Sequence, residues 1–420
     1  MSIARLGYSV ALLLATPLVL LRLAWRARRQ PDYLRHVGER FGAYVVPPGA
    51  PVIWIHAVSV GETHASAPLV RALQARFPDH RLLFTHTTPT GRRTGEQLFG
   101  ENVLRAYLPY DLPWAVARFL RNVRPRIGVL METEVWPNLI AGCVRANVPL
   151  VLVNARMSER SARGYARIAA LSREAMSALA AVGAQTQADA RRLQALGATR
   201  VEVTGNMKFD RTPSSQDVEL GNAFRARFGA RFVFLAASTR EGEEETILDA
   251  LQGLDGDVLI AIVPRHPQRF EEVAAILDRR AIAFQRRSDG QPVSALTRVW
   301  LGDSMGELFA CYGACDVAFV GGSLLPLGGQ NLLEALAVGR PVIVGPHTFN
   351  FAEATQQAVE AGAAMRVADA AGLRQALLAL QGDPQRRARM AEAGRAFTLQ
   401  HRGATARTMT LIERRLEGRG

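Results

Sequence analysis

Glu62 closes an apolar run, "WIHAVSVGE", directly behind a glycine. Glycine-rich strand-to-helix junctions usually hold phosphate on backbone N–H groups, and a carboxylate there repels one. A carboxylate in such a place can instead take a proton, although a solvated acid beside a helix dipole is the simpler alternative. Two more acids, Glu132 and Glu134, end another strand-like run in "METEVWPN", where a structural ion pair competes with a chemical role. Lys208, in "TGNMKFD", is the single lysine; lysine and arginine together number 51. Drift in genome composition explains the arginines but not the one lysine that survives. Arginine cannot replace a compact, rotatable ammonium where a site needs that point charge.

The second half carries different chemistry. In "VPRHPQRF", Arg265 and His266 stand just beyond a strand, where an arginine can hold phosphate bidentately. "GDSMGEL" ends another strand with Asp303 to Leu308. In "VGGSLLPLGGQNLLEAL" two glycine pairs flank a short loop, and Asn331 is expected to open a helix with Glu334 three residues on. Free N–H groups at that end suit a phosphate, and the carboxylate suits ribose hydroxyls. Tight turns would also use glycine. Asp255-Gly256-Asp257 has the form of a metal-binding DxD but precedes a strand and reads as a turn. The histidines show no metal-ligand spacing, so no metal is expected. Carboxylates in one half and phosphate chemistry in the other suggest a division of labour, with a nucleotide donor in the second half and an activated nucleophile in the first.

These residues must be carried by strand ends. From residue 51, β-rich runs such as "PVIWIHAV", "RLLFTHTT" and "RIGVLMETEV" alternate with helical stretches, and the pattern restarts at "RFVFLAAST". Such alternation means parallel sheets with helices on both faces. The expected class is α/β, with two doubly wound Rossmann-like domains facing a cleft and reactive groups at the carboxyl ends of strands. The expected division is an anchor and basic segment over 1–30, an acceptor-binding domain over 31–210, a linker over 211–230, and a donor-binding domain with C-terminal helices over 231–420. Pro68 is tolerated only in a first helical turn, which starts the first helix near Ser66 and leaves Glu62 in a loop.

Length and a hydrophobic content of 48% exclude a disordered or fibrous chain. A net charge of +13 favours an anionic partner: nucleic acid, a phosphorylated substrate or an acidic membrane. Three cysteines without a CxxC pair fit a reducing compartment. Leu6 to Leu21 is free of charge, and Arg22, Arg26, Arg28 and Arg29 follow it. Charge behind the apolar run contradicts a cleaved signal peptide and points to an uncleaved anchor, spanning or monotopic, with the rest of the chain cytoplasmic.

Eight stretches, "HAVSVGE", "METEVWPN", "TGNMKFD", "STREGEE", "VPRHP", "GDSMGEL", "GGSLLPLGGQN" and "GPHTFNF", resemble in order the bacterial lipid A Kdo transferases across nearly the whole chain. The resemblance implies a glycosyltransferase-B fold, an N-terminal anchor, and an active site on the cytoplasmic side of the bacterial inner membrane. It implies inverting transfer of 3-deoxy-D-manno-octulosonic acid (Kdo) from CMP-Kdo to the lipid A precursor, lipid IVA, without cofactor or metal. By the same resemblance Glu62 is the general base, and Glu132 and Lys208 stabilise the transition state. Pro264 and Arg265, Met305, Gly306 and Glu307, and Asn331, Leu332, Leu333 and Glu334 fall on CMP-binding segments. The implied partners are the donor, the lipid acceptor and the anionic inner-membrane surface, not nucleic acid. Arg240 departs from the histidine expected in "STHEGEE". A nucleotide-sugar epimerase shares the architecture but needs no anchor; a transferase of another activated sugar and a non-catalytic relative with a degenerate site are further alternatives.

Overall fold

The structure, a computed structural model, describes residues 2–28, 30–254 and 257–418. Asp255 and Gly256 of the DxD stretch lie outside the described residues, as does Arg29. The chain forms two compact units, Met1–Asp210 with Arg402–Gly420, and Arg211–His401.

The first unit is built on seven strands: β1 (Val52–His56), β2 (Arg81–His86), β3 (Val103–Tyr107), β4 (Pro125–Met131), β5 (Leu150–Ala155), β6 (Ala181–Ala184) and β7 (Val201–Val203). They pair in the order β3-β2-β1-β4-β5-β6-β7, all parallel. Every residue of β1 is buried, as a central parallel strand covered on both faces must be. Ile53 and Ile55 pack into one apolar cluster and Trp54 into another, so helices cover both faces. Trp54 fits because its partner in β4 is Gly128, where a Cβ would stand 2.7 Å from the indole and 2.5 Å from Leu150 Cδ1.

In the second unit the strands are β8 (Phe232–Thr239), β9 (Val258–Pro264), β10 (Phe284–Arg286), β11 (Val299–Leu301), β12 (Val317–Val320), β13 (Val342–Val344) and β14 (Ala364–Arg366). Their order is β10-β11-β9-β8-β12-β13-β14. Each sheet reverses its winding once, between β1 and β4 in the first and between β8 and β12 in the second. Crevices open at such switch points, outside the carboxyl ends of the strands.

Three expectations change. The helix expected near Ser66 is two helices, Val60–Ala65 and Ala67–Arg76, with Pro68 in the first turn of the second. Glu62 therefore lies in the first turn of a short helix and not in a loop. Ser59 starts that turn by accepting the Glu62 N–H on its hydroxyl, and the Ser-x-x-Glu spacing is the signal for it. Residues 211–230, read as a linker, hold a helix over Ser215–Phe228. A capping box between Ser214 and Asp217 opens it, and Phe224 and Phe228 bury against Trp300. Finally, the last helix, Ala404–Leu416, packs on the first unit against the helix Ala67–Arg76 and not on the second. Asp210 fixes this return by accepting N–H bonds from Gly403 and Thr405.

The N-terminal helix runs over Ile3–Ala27 and is long and apolar enough to cross a membrane. Its opening turns are nevertheless seated on the first unit by polar bonds. Arg5 pairs with Glu174 at 2.9 Å, the Tyr8 hydroxyl donates to Asp111 at 3.0 Å, and the Ser9 hydroxyl donates to Asn138 at 3.1 Å. Leu13, Leu14, Leu18, Leu21 and Trp25 stay exposed.

Candidate active site

In the first unit the three acids and the lysine converge on the switch point. Glu62 follows β1, and Glu132 and Glu134 follow the adjacent β4. The Glu62 carboxylate is held at both oxygens: the Val58 N–H donates to Oε2 and the Ser59 hydroxyl to Oε1, each at 2.8 Å. Burial raises its pKa, the negative charge of Glu132 raises it further, and the two hydrogen bonds and Lys208 work against that rise. The result is a half-buried carboxylate of fixed orientation with enhanced basicity.

Glu132 adopts a left-handed backbone, φ 57°, at the point where the chain leaves β4. For a residue with a Cβ this costs about 1–3 kcal/mol. Its N–H stays tied to Val153 O at 3.0 Å, and its Oε1 lies 3.3 Å from Lys208 Nζ. Lys208 sits in a 3₁₀ turn, Met207–Asp210, fastened on several sides. Met207 is fully buried, the Lys208 N–H donates to Asn206 Oδ1, and the Met207 N–H donates to Asn154 Oδ1, both at 3.0 Å. Asn154 was not singled out from sequence. It is fully buried at the end of β5, with φ 51° and an amide nitrogen that has no hydrogen-bond partner among the described residues. The left-handed backbone is the kind asparagine tolerates, which was the available signal.

Glu134 is a third acid with a different character. The Trp136 indole N–H donates to it at 2.6 Å. Burial, and then the charges of Glu62 and Glu132, push its pKa up to about 8. Glu134 therefore holds its proton near neutrality.

The second unit presents its candidates at strand ends too, but several are already engaged. Pro264 ends β9, and the Arg265 N–H donates to Thr239 O at 3.0 Å. Arg265 Nε donates to Gln330 Oε1 at 3.3 Å. Met305 is exposed and Gly306 has φ 85°, so this loop turns outward. Glu307 is spent internally in a bidentate pair with Arg287, both bonds 3.0 Å. Asn331 does not open a helix: the helix is Leu333–Ala337, only five residues long. Asn331 accepts the Leu333 N–H and donates to Glu334 Oε1, which also pairs with Arg211. Leu332 and Leu333 are buried, so what that segment offers a ligand is backbone.

The glycine-rich loop behaves differently from expectation. The N–H groups of Gly322, Ser323 and Leu324 all donate to Glu243, which also takes the Arg240 N–H. Glu243 is fully buried. An internal carboxylate thus fills the place a phosphate would take. The signal was the pair of glutamates in "STREGEE"; Glu244, equally buried, accepts from Thr239 and pairs with Arg269.

Comparison with known proteins decides which family the chain belongs to. The family model described as 3-deoxy-D-manno-octulosonic-acid transferase (kdotransferase) matches residues 35–211. The 3-deoxy-D-manno-octulosonic acid transferase of Bordetella pertussis is 45% identical over 97% of this chain and 98% of its own. The chain belongs to the Kdo transferase family. The Haemophilus influenzae transferase is 39% identical over 98% of this chain and 99% of its own. The protein is therefore a glycosyltransferase that moves Kdo in lipopolysaccharide biosynthesis, and the epimerase alternative falls. A solved glycosyltransferase from Rickettsia africae superposes with a TM-score of 0.59 over 89% of this chain and 100% of its own. At 12% identity that likeness shows the fold alone, the two-domain glycosyltransferase-B type expected from sequence.

Proposed function

We propose that this Kdo transferase takes Kdo from CMP-Kdo and places it on the lipid A precursor, lipid IVA, with inversion at the anomeric carbon. Glu62 is the base. It removes the proton from the acceptor's sugar hydroxyl as that oxygen's electron pair forms the bond to the anomeric carbon, and the bond to the CMP phosphate breaks on the opposite face. Lys208 and Glu132 act as a fixed pair whose ammonium offsets the negative charge that develops, in a setting that needs no reorganisation at the moment of reaction. The nucleotide is held by the second unit through Pro264 and Arg265, Met305 to Glu307, and Asn331 to Glu334. The leucine face of the N-terminal helix lies on an anionic membrane surface, with both units on the cytoplasmic side of the inner membrane.

The observation that carries this reading is the Glu62 carboxylate, oriented by two hydrogen bonds at the switch point and made more basic by burial beside Glu132. Detergent-solubilised protein given CMP-Kdo and lipid IVA should release CMP and add the mass of Kdo to the lipid. E62Q should lower kcat by roughly a hundredfold to ten-thousandfold, the usual range for a general base, with CMP affinity kept. Near-normal turnover by E62Q would remove the assignment.

A further inference from the structure

Arg240 has no role in the reading given so far, and its place in the sheet argues for one. Thr239 and Pro264 are paired across β8 and β9, so Arg240 and Arg265 are the next residues on adjacent parallel strands. On the other side of β8, strand β12 runs into Gly321 and Gly322. Gly321 has to be glycine, because a Cβ there would stand 2.6 Å from Ser238 O. The close approach brings the glycine loop over the end of β8: a Cβ on Gly322 would meet Arg240 Cγ at 3.6 Å and Gln330 Nε2 at 3.2 Å. Gln330 in turn accepts from Arg265. Arg240, Gln330 and Arg265 are thus one half-buried group at the switch point of the second sheet.

The charge of this group is not balanced by a direct ion pair, although Glu334 acts on Arg265 from beyond contact. Among the described residues no ion pair joins either arginine to a carboxylate, and the neighbouring acids are committed. Glu243 accepts four backbone N–H bonds. Glu244 is taken by Thr239 and Arg269, and Glu334 by Arg211 and Asn331. The positive charges are close enough to act on one another: burial lowers the pKa of Arg265, the charge of Glu334 opposes that fall, and Arg240 adds to it, while burial, then Arg265, then Arg240 lower that of His266. Two like-charged guanidiniums side by side, partly desolvated, lack an anion. Glu243 has already filled the backbone nest that would otherwise serve, which leaves side chains to do it.

We propose that Arg240 is a donor-binding residue, forming with Arg265 a two-arginine clamp for an oxyanion of the sugar nucleotide, either its phosphate or its sugar carboxylate. This rests on the reading of the second unit as the donor unit. Glu243 supports the clamp by fixing the Arg240 backbone and the glycine loop with one carboxylate.

The test uses the full-length chain in detergent, with equilibrium titration by CMP, cytidine and CMP-Kdo alongside steady-state kinetics. R240Q should weaken donor binding about tenfold to a hundredfold, the span of one lost charge-assisted bond, mainly in KM, while R240K recovers part of it and both keep the wild-type melting temperature. A loss seen with CMP but not cytidine assigns the clamp to the phosphate. A loss confined to CMP-Kdo assigns it to the carboxylate. R240Q binding both nucleotides as tightly as wild type would overturn the assignment. Wild-type protein that binds neither would instead remove the donor reading on which it stands.

Discussion

Three glutamates within one crevice do different work because their surroundings separate them. Glu62 is held by two donors, and these and Lys208 work against the rise in its pKa that burial and Glu132 cause, as suits the base proposed above. Glu132 is tied to the ammonium, and Glu134 keeps its proton until about pH 8. That last value has a consequence for stability. In the unfolded chain Glu134 loses its proton near the ordinary value of 4.5, whereas the fold retains it. Its contribution to stability is therefore complete below 4.5 and is lost as pH rises toward 8. E134Q, which cannot ionise, should flatten the fall of melting temperature between pH 5 and 8; parallel curves for the two proteins would refute the shift. The proton affinity of Glu134 was invisible in "METEVWPN", because burial and the charge of Glu62, seventy-two residues away, create it.

At the scale of elements, the strand ends were legible and the loops were not. The alternation of β-rich and helical runs gave both sheets, and every acid or arginine expected at a strand's carboxyl end is there. What misled was the local grammar of glycine. "GGSLLPLGGQN" has the composition of a phosphate loop, yet Glu243 from another helix occupies its donors, a contact across about eighty residues that no window on the sequence contains. The lysine turn is the same kind of case: Asn154, at the end of β5, supplies the acceptor that sets Met207 and hence Lys208. N154A should leave the Met207 N–H without a partner at a cost of about 1–3 kcal/mol in stability. Turnover should drop further than that loss explains, with donor KM little changed. A kcat equal to wild type in N154A would show the turn is set without it.

For the whole molecule, the N-terminal helix is long and apolar enough to cross a membrane and is also a structural part. Protein lacking residues 2–28 should leave the membrane pellet and appear in the supernatant after centrifugation, since its exposed leucines go with it. It should also melt several degrees lower than the full chain, because Glu174, Asp111 and Asn138 all lose partners. Unchanged sedimentation would mean that some other surface holds the membrane. The helix was read from sequence as a run of apolar residues; its polar seating was not, since Tyr8 and Ser9 look like minor interruptions of that run until the fold supplies Asp111 and Asn138.

The Tyr8 bond has a practical corollary. Asp111 also accepts the N–H groups of Asn138 and Leu139, at the start of the helix that directly follows the loop bearing Glu132 and Glu134. A version trimmed for easy purification would keep Glu62, Glu132 and Lys208 yet lose the strut behind the helix that follows Glu132. Kinetic constants or inhibitor potencies measured on such a fragment would describe a slackened enzyme, and Y8F in the full-length protein is the control that separates that slackening from detachment.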